Sequence, residues 1–327
     1  MEILARNVND ALAQGLREIV ERGITEKSRN GNVLVFQNPV LTTYINPDQR
    51  VLFSPVRNAN PFFHLMESLW MLAGRNDLAF PLQFNKRFKE YSDDGVTLAG
   101  AYGFRWRKYF GRDQLDHAVR ELVRDPETRR VVIQMWSAND LGGTGKDLPC
   151  NTQIYLDCRH SQLNMTVTNR SNDILWGAYG ANAVHFSVLL EYLARSIGFP
   201  VGVYRQFSNN LHLYTDVLPM DAALEMSEDV EATDHYVTKN VEPFPLVAED
   251  DLHEWDNDLA MFMRNPVKAN KYRDPFFAGV VHPMYEAWQS RNDVYFARSI
   301  AHDIIATDWR RACDEWLERA QQRRERA

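Results

Sequence analysis

Leu148-Pro149-Cys150-Asn151-Thr152-Gln153-Ile154-Tyr155-Leu156-Asp157-Cys158 is followed by Leu163-Asn164-Met165-Thr166-Val167-Thr168 and then by Asn169-Arg170-Ser171-Asn172-Asp173. The first two stretches are β-rich and bounded by polar turns, so they read as adjacent antiparallel strands. In the second, Leu163, Met165 and Val167 should face a core and Asn164, Thr166 and Thr168 the other side. The pairing brings Cys150 and Arg170 to one end of the strand pair. A thiol is a useful nucleophile as its thiolate, and Arg170 is the nearest cation in sequence logic to favour that form. Cys150 also follows a permissive Gly142-Gly143-Thr144-Gly145 turn.

Working outward, Val8 to Glu21 has helical periodicity and stops at Gly23. Asn32 to Phe36 and Gln49 to Phe53 read as short strands. Asn60-Pro61 starts an apolar helix from Phe62 to Ala73, halted by Gly74. Asp113 to Arg124 is amphipathic and helical, Val131 to Trp136 is a further strand, and Asn182 is expected to cap a helix from Ala183 to Ile197. Gly202 to Phe207 and Leu211 to Tyr214 are extended, and helices dominate from Asp250 to a solvated arginine-rich tail. Strands and helices do not alternate regularly, which predicts α+β rather than a doubly wound sheet.

The chain has 327 residues, 45% of them hydrophobic, with a formal net charge of −7. That suffices for one large core, and no linker or repeat marks a boundary, so a single domain over 1–327 is expected. The acidic balance speaks against nucleic acid or an anionic membrane as partner. Three cysteines make no disulfide framework, and no apolar run is long enough to span a bilayer. A cytoplasmic protein, of a bacterial or phage-infected cell, is the expectation.

Several polar residues invite a role. Glu67 sits among Leu65, Met66, Leu69 and Trp70, where burial disfavours a carboxylate's charged form and makes it a proton donor and acceptor. Arg29 lies in a polar turn, Arg129-Arg130 follow another, and His212 and Tyr214 share one face of an extended segment. Singly, each is equally an ordinary surface or core residue.

Their order is what distinguishes them. Glu67-Ser68-Leu69-Trp70, Tyr102-Gly103 with Arg105-Trp106-Arg107, Asp125-Pro126-Glu127-Thr128-Arg129-Arg130, Leu148-Pro149-Cys150, Arg170-Ser171-Asn172-Asp173 and His212-Leu213-Tyr214 together resemble the thymidylate synthase family. The resemblance implies that family's fold, a mixed sheet packed with helices, the sheet lying at a homodimer interface. It implies that Cys150 attacks C6 of a uracil ring, with Glu67 and Tyr102 managing protons and water. Arg29, Arg170 and Ser171 would hold the nucleotide phosphate, with Arg129 and Arg130 delivered from the partner subunit to a shared site. His212 and Tyr214 would hold the sugar, Asn182 the base, and Asp173, Gly177, Phe88 and Trp70 a 5,10-methylenetetrahydrofolate cosubstrate, with no metal. An amide at Asn182 suits uracil, although Gly177 to Asn182 is one residue longer than the usual spacing.

Three departures bear on the product. Asn151 stands where histidine usually follows the nucleophile, Phe88 and Tyr91 where a tryptophan pair is usual, and Gln322-Arg323-Arg324-Glu325-Arg326-Ala327 where a short apolar tail is usual. Each weakens shielding of the transferred carbon from water, which points to dUMP 5-hydroxymethylation of the phage type rather than methylation to dTMP. A divergent helical part is expected from about 250 to 327. The competing readings are thymidylate synthesis, hydroxymethylation of dCMP or CMP, a cysteine hydrolase using His185 or His212, and a nucleotide-binding scaffold.

Overall fold

The computed structural model describes residues 1–238, 240–247 and 252–325. Among the described residues ten strands form two sheets: β1 (Glu2–Ala5), β2 (Ile24–Ser28), β3 (Gly31–Val35), β4 (Val40–Tyr44), β5 (Val132–Gln134), β6 (Asn151–Arg159), β7 (Gln162–Asn169), β8 (Asn172–Asp173), β9 (Val201–Ser208) and β10 (Leu211–Tyr214). The larger has the order β1-β4-β9-β7-β6-β5 and the smaller β2-β3-β10-β8. Both mix parallel and antiparallel pairs, as in β7 with β9 and β6 with β7. The fold is α+β, as the irregular alternation implies.

The two strands that opened the reading form as expected. Asn151 pairs with Asn169 and Ile154 with Val167, and the Arg170 N–H donates to the Cys150 carbonyl at 2.9 Å. Leu163, Met165 and Val167 are fully buried, while Thr166 and Thr168 stay partly exposed. The helices Val8–Arg22 and Asn182–Ser196 cover the inner face of the larger sheet. On its outer face Leu4, Val132, Tyr155 and Phe207 remain 36–59% exposed. One hydrophobic cluster runs from Ile3 to Leu317.

The helix Pro61–Leu72 is capped by Asn60, whose side chain accepts from Phe63 N–H, a contact worth about 1 kcal/mol. Ten of its twelve residues are buried, which aims the remaining polar position, Glu67, at whatever lies beside it. Gly103 packs so close that a Cβ there would lie 1.9 Å from the Met71 carbonyl. This contact draws the Tyr102 turn against that helix.

Two expectations need correction. Gln49 to Phe53 is not a strand: its backbone is held by side chains, Asn9 donating to the Val51 carbonyl and Tyr236 accepting from Val51 N–H. Asn182 does not cap its helix. The preceding wide turn Ile174–Ala181 already supplies partners, Asp173 accepting from Trp176 N–H and the Asn182 N–H donating to the Gly177 carbonyl five residues back. That wider turn accommodates the extra residue between Gly177 and Asn182, and it frees the Asn182 side chain. The arginine-rich tail is solvated as expected, its described residues from 322 to 325 being exposed, and it is helical. Arg323, Arg324 and Glu325 end the helix Thr307–Glu325, and Arg324 donates to the carbonyls of Arg291 and Asn292 at 3.2 Å. Asp250, Arg326 and Ala327 lie outside the described residues.

Candidate active site

Cys150 sits just before β6, where three elements converge. Its backbone N–H and that of Asn151 both donate to the Tyr102 hydroxyl, at 3.3 and 3.4 Å. Arg170 reaches back across the strand pair. Its Nε donates to the Pro149 carbonyl at 2.9 Å, and its Nη2 lies 3.9 Å from the Cys150 sulfur. The loop before Cys150 is braced by a buried bidentate pair, Arg105 to Asp140 at 2.6 and 2.9 Å. Arg105 is therefore structural; it is not free to hold a substrate.

Arg170 acts on Cys150 in the expected direction, favouring the thiolate, but it is opposed. Burial pushes the thiol up, Asp147 adds to the rise, and the lowering influence of Arg170 does not offset them. Burial, then Cys150, likewise pushes the Tyr102 phenol well above its usual range. Alkylation of Cys150 by iodoacetamide should therefore be slow at pH 7 and rise with pH through a midpoint above that of ordinary cysteine. Arg170→Gln should move the midpoint higher still, because it removes the one lowering influence. A midpoint at or below that of free cysteine, read by mass spectrometry, would contradict this account.

The second half of the site comes from β8 and β10, which pair in parallel so that Asp173 lies beside His212. His212 is buried, donates from Nδ1 to Asn210 Oδ1 at 2.8 Å, and packs edge-on against Tyr214 at 5.1 Å. Burial holds its imidazole below the usual value. Burial also pushes the Asp173 carboxyl up to about 6, against the Trp176 backbone hydrogen bond and the pull of Arg57. Asp173 Oδ2 is buried without a protein donor. Trp176 beside it is 43% exposed, with Arg87 over its ring at 5.5 Å.

On the opposite side Glu67 approaches His185 at 3.2 Å, their side chains 12% and 3% exposed. The approach is short but misaligned for a hydrogen bond, since His185 Nε2 has none. Asn182 is gripped at both ends: Asn151 donates to its Oδ1 at 3.4 Å, and its Nδ2 donates to Asn172 Oδ1 at 3.1 Å. Gly177 permits this, because a Cβ there would lie 2.5 Å from that same Asn172 oxygen.

The expected residues separate into groups. Cys150, Tyr102 and Arg170 are in contact, Asn182 is joined to Asn151, and Asp173 is paired in strand register with His212. Ser171 links Arg170 to β8 and is partly exposed, and Arg29 is exposed at the tip of the β2–β3 hairpin, the Tyr214 end of its sheet. Arg129 and Arg130 are exposed and remote. The Val131 carbonyl accepts from Leu156 N–H, and the strand from 150 to 156 runs about 20 Å at about 3.3 Å per residue. An arginine side chain cannot cover that distance within one chain. Phe88 is half-buried against Phe63. Trp70 is a correction: it is 2% exposed, with its indole N–H turned to Asp77, so it cannot stack on a ligand.

Sequence reading missed Arg57, Asn172, Trp176 and Gln206. Arg57 donates to the Leu175 carbonyl at 2.7 Å, has a buried Nε without an acceptor, and is lowered to about 10 by burial. No spacing announces it, because 118 residues separate it from its partner. The residues fit a folate: Asp173 carries an unpartnered carboxylate oxygen, the Trp176 indole beside it is exposed, and Phe88 follows the Arg87 that lies over that indole. Among the described residues no cluster suits a metal ion. The Cys150 sulfur contacts Arg170, and no described histidine hydrogen-bonds to it, so a hydrolase pair is not assembled.

Comparison with known proteins agrees with this geometry. Residues 11–274 match the family model described as thymidylate synthase. The chain is 48% identical to a deoxyuridylate hydroxymethyltransferase of Pseudomonas phage M6, over 97% of this chain and 93% of the relative. It is 38% identical to a protein of the same name from Bacillus phage SP01, over 59% and 52% of the two chains. A thymidylate synthase of Symbiobacterium thermophilum is 29% identical over 64% and 78%. The fold is similar to that of the thermostable thymidylate synthase A from Bacillus subtilis, with a TM-score of 0.56, 21% identity, and coverage of 67% and 84%.

Proposed function

The chain belongs to the thymidylate synthase family, and from that premise we propose that it transfers a one-carbon unit from 5,10-methylenetetrahydrofolate to C5 of dUMP and releases the 5-hydroxymethyl nucleotide. It is a one-carbon transferase, and its family uses methylenetetrahydrofolate as cosubstrate.

In this reading Arg170, Ser171 and Arg29 take the phosphate, since guanidinium groups bind it through strong, directional contacts. His212 and Tyr214 take the sugar, and Asn182 the base edge. Binding the phosphate dianion brings Arg170 and the substrate against Cys150, whose sulfur adds to C6 as its proton leaves. C5 thereby becomes nucleophilic. The folate supplies the carbon at the formaldehyde level. Tyr102 and Glu67, the latter beside His185, hold water and move protons at O4 and C5. Asp173, with Gly177 keeping its turn open and Phe88 and Trp176 as apolar walls, orients the pterin.

Arg129 and Arg130 act on the partner's phosphate in this reading. Their distance from Cys150 supports it, as does the uncovered outer face carrying Leu4, Val132, Tyr155 and Phe207, an apolar surface suited to a second copy. The whole chain 1–327 is read as one domain with a divergent helical part from about 250. No described helix is long and apolar enough to cross a membrane, and with three free cysteines a cytoplasmic site of action fits.

The observation that carries hydroxymethylation over methylation is Asn151. Its Oδ1 is buried with no protein donor, one residue from the nucleophile, and so is an acceptor available to water. Water then reaches the carbon on C5 before hydride does. The test is a reaction in heavy-oxygen water, with mass spectrometry of the nucleotide and absorbance of the folate. Label in the 5-hydroxymethyl oxygen and release of tetrahydrofolate are expected. Unlabelled thymidylate with stoichiometric dihydrofolate would make the enzyme a methylating synthase.

A further inference from the structure

Four buried amides stand in a row behind the base-reading position. Asn151 donates to Asn182 Oδ1, Asn182 Nδ2 to Asn172 Oδ1, and Asn172 Nδ2 to Gln206 Oε1. Gln206 Nε2 donates in turn to the Tyr204 hydroxyl at 2.8 Å and to the Ala178 carbonyl at 3.3 Å. All four side chains belong to residues no more than 8% exposed.

An amide group in isolation can be turned over at little cost, because oxygen and NH2 occupy almost the same space. Here the far end of the row cannot be reversed. The Ala178 carbonyl is an acceptor only, and it already receives the Tyr44 hydroxyl at 3.0 Å. Gln206 must therefore turn its NH2 to Ala178 and its oxygen to Asn172. Asn172 must then give its NH2 to Gln206, with Ser208 Oγ also accepting at 3.1 Å, and turn its oxygen to Asn182. Asn182 is left with one orientation. The near end exerts no such control: Asn151 Oδ1 has no partner, so Asn151 could turn over together with Asn182 and lose nothing.

Orientation matters because the residue type alone does not choose a base. Uracil offers an N3–H donor beside an O4 acceptor, and cytosine offers an N3 acceptor beside an amino donor. Asn182 keeps one lone pair and one N–H free after its two contacts, and turned over it would suit the other base equally well. We propose that Gln206, acting through Asn172, sets the base selectivity by holding the Asn182 amide in a single orientation. Gln206 is a positioning residue in this scheme and touches no substrate. The inference rests on the reading of Asn182 as the group that meets the base edge.

The test compares dissociation constants of dUMP and dCMP by calorimetry, without folate, in wild type and variants. Gln206→Met removes the anchor at similar volume, and the preference for dUMP should fall by about tenfold or more, the equivalent of roughly one buried hydrogen bond. Adding Asn172→Asp to Gln206→Met should restore the preference, because a carboxylate can only accept from Asn182 Nδ2. General loosening of the site would not be repaired by a buried charge. If Gln206→Met fails to fold, Asn172→Leu removes the same constraint from a different strand and carries the same expectation. Asn182→Ala separates the two levels of the argument. If it erases the preference while Gln206→Met and Asn172→Leu leave it within twofold of wild type, the amide relay is overturned. If Asn182→Ala itself leaves the preference intact, the assignment of Asn182 to the base falls first.

Discussion

Cys150→Ser is expected to abolish turnover, by roughly 10⁴- to 10⁶-fold, while dUMP still binds within about threefold of wild type. The two outcomes separate because they depend on different atoms. Phosphate affinity comes from guanidinium groups, and Arg170 is held by the Pro149 and Leu148 carbonyls as well as lying near the sulfur, so it stays in place when the sulfur is exchanged. Chemistry depends on a group that can add to C6. A serine hydroxyl is a far poorer nucleophile at neutral pH, and no described histidine bonds to residue 150 to activate it. Burial already opposes ionisation of the thiol, and it would oppose a serine alkoxide far more. Activity above a few per cent of wild type would remove Cys150 from the mechanism. Loss of binding in parallel would mean that the sulfur organises the phosphate pocket.

Complementation between two dead chains is the second large effect. Cys150→Ser and Arg129→Ala/Arg130→Ala homodimers should each be inactive, and their mixture should recover about a quarter of wild-type activity once subunits exchange. Random exchange makes about half the dimers mixed. In a mixed dimer one site carries both defects and the other carries none. The distance argument makes this result specific. Val131 lies beside Leu156, about 20 Å along β6 from the nucleophile, so these arginines cannot act on their own chain's site. Confirmed exchange without recovery would mean that they serve no phosphate at all.

Local sequence was enough for much of this protein. Alternating residues in β7, the Asn60-Pro61 start of a buried helix and the Cys150–Arg170 juxtaposition across a strand pair follow from side-chain period, capping chemistry and strand pairing, all of which act between near neighbours. What the sequence could not decide depends on neighbours distant in the chain. Whether Cys150 is a thiolate depends on the balance of its burial against Arg170, and burial is set by the whole assembly around it. Trp70 looked like a ligand-facing aromatic, but its side of the helix was decided by Asp77 and the core packed against it. Arg57 meets the Leu175 carbonyl, and Gln206 meets Asn172, over separations that no motif spans. Asn182 shows the division within a single residue. Its chemistry, one acceptor and one donor, is written in the sequence, but the direction in which it presents them depends on a carbonyl at Ala178 reached through two other side chains. An amide is nearly symmetric in shape, so only a fixed hydrogen-bond partner, and hence tertiary structure, can tell its two ends apart.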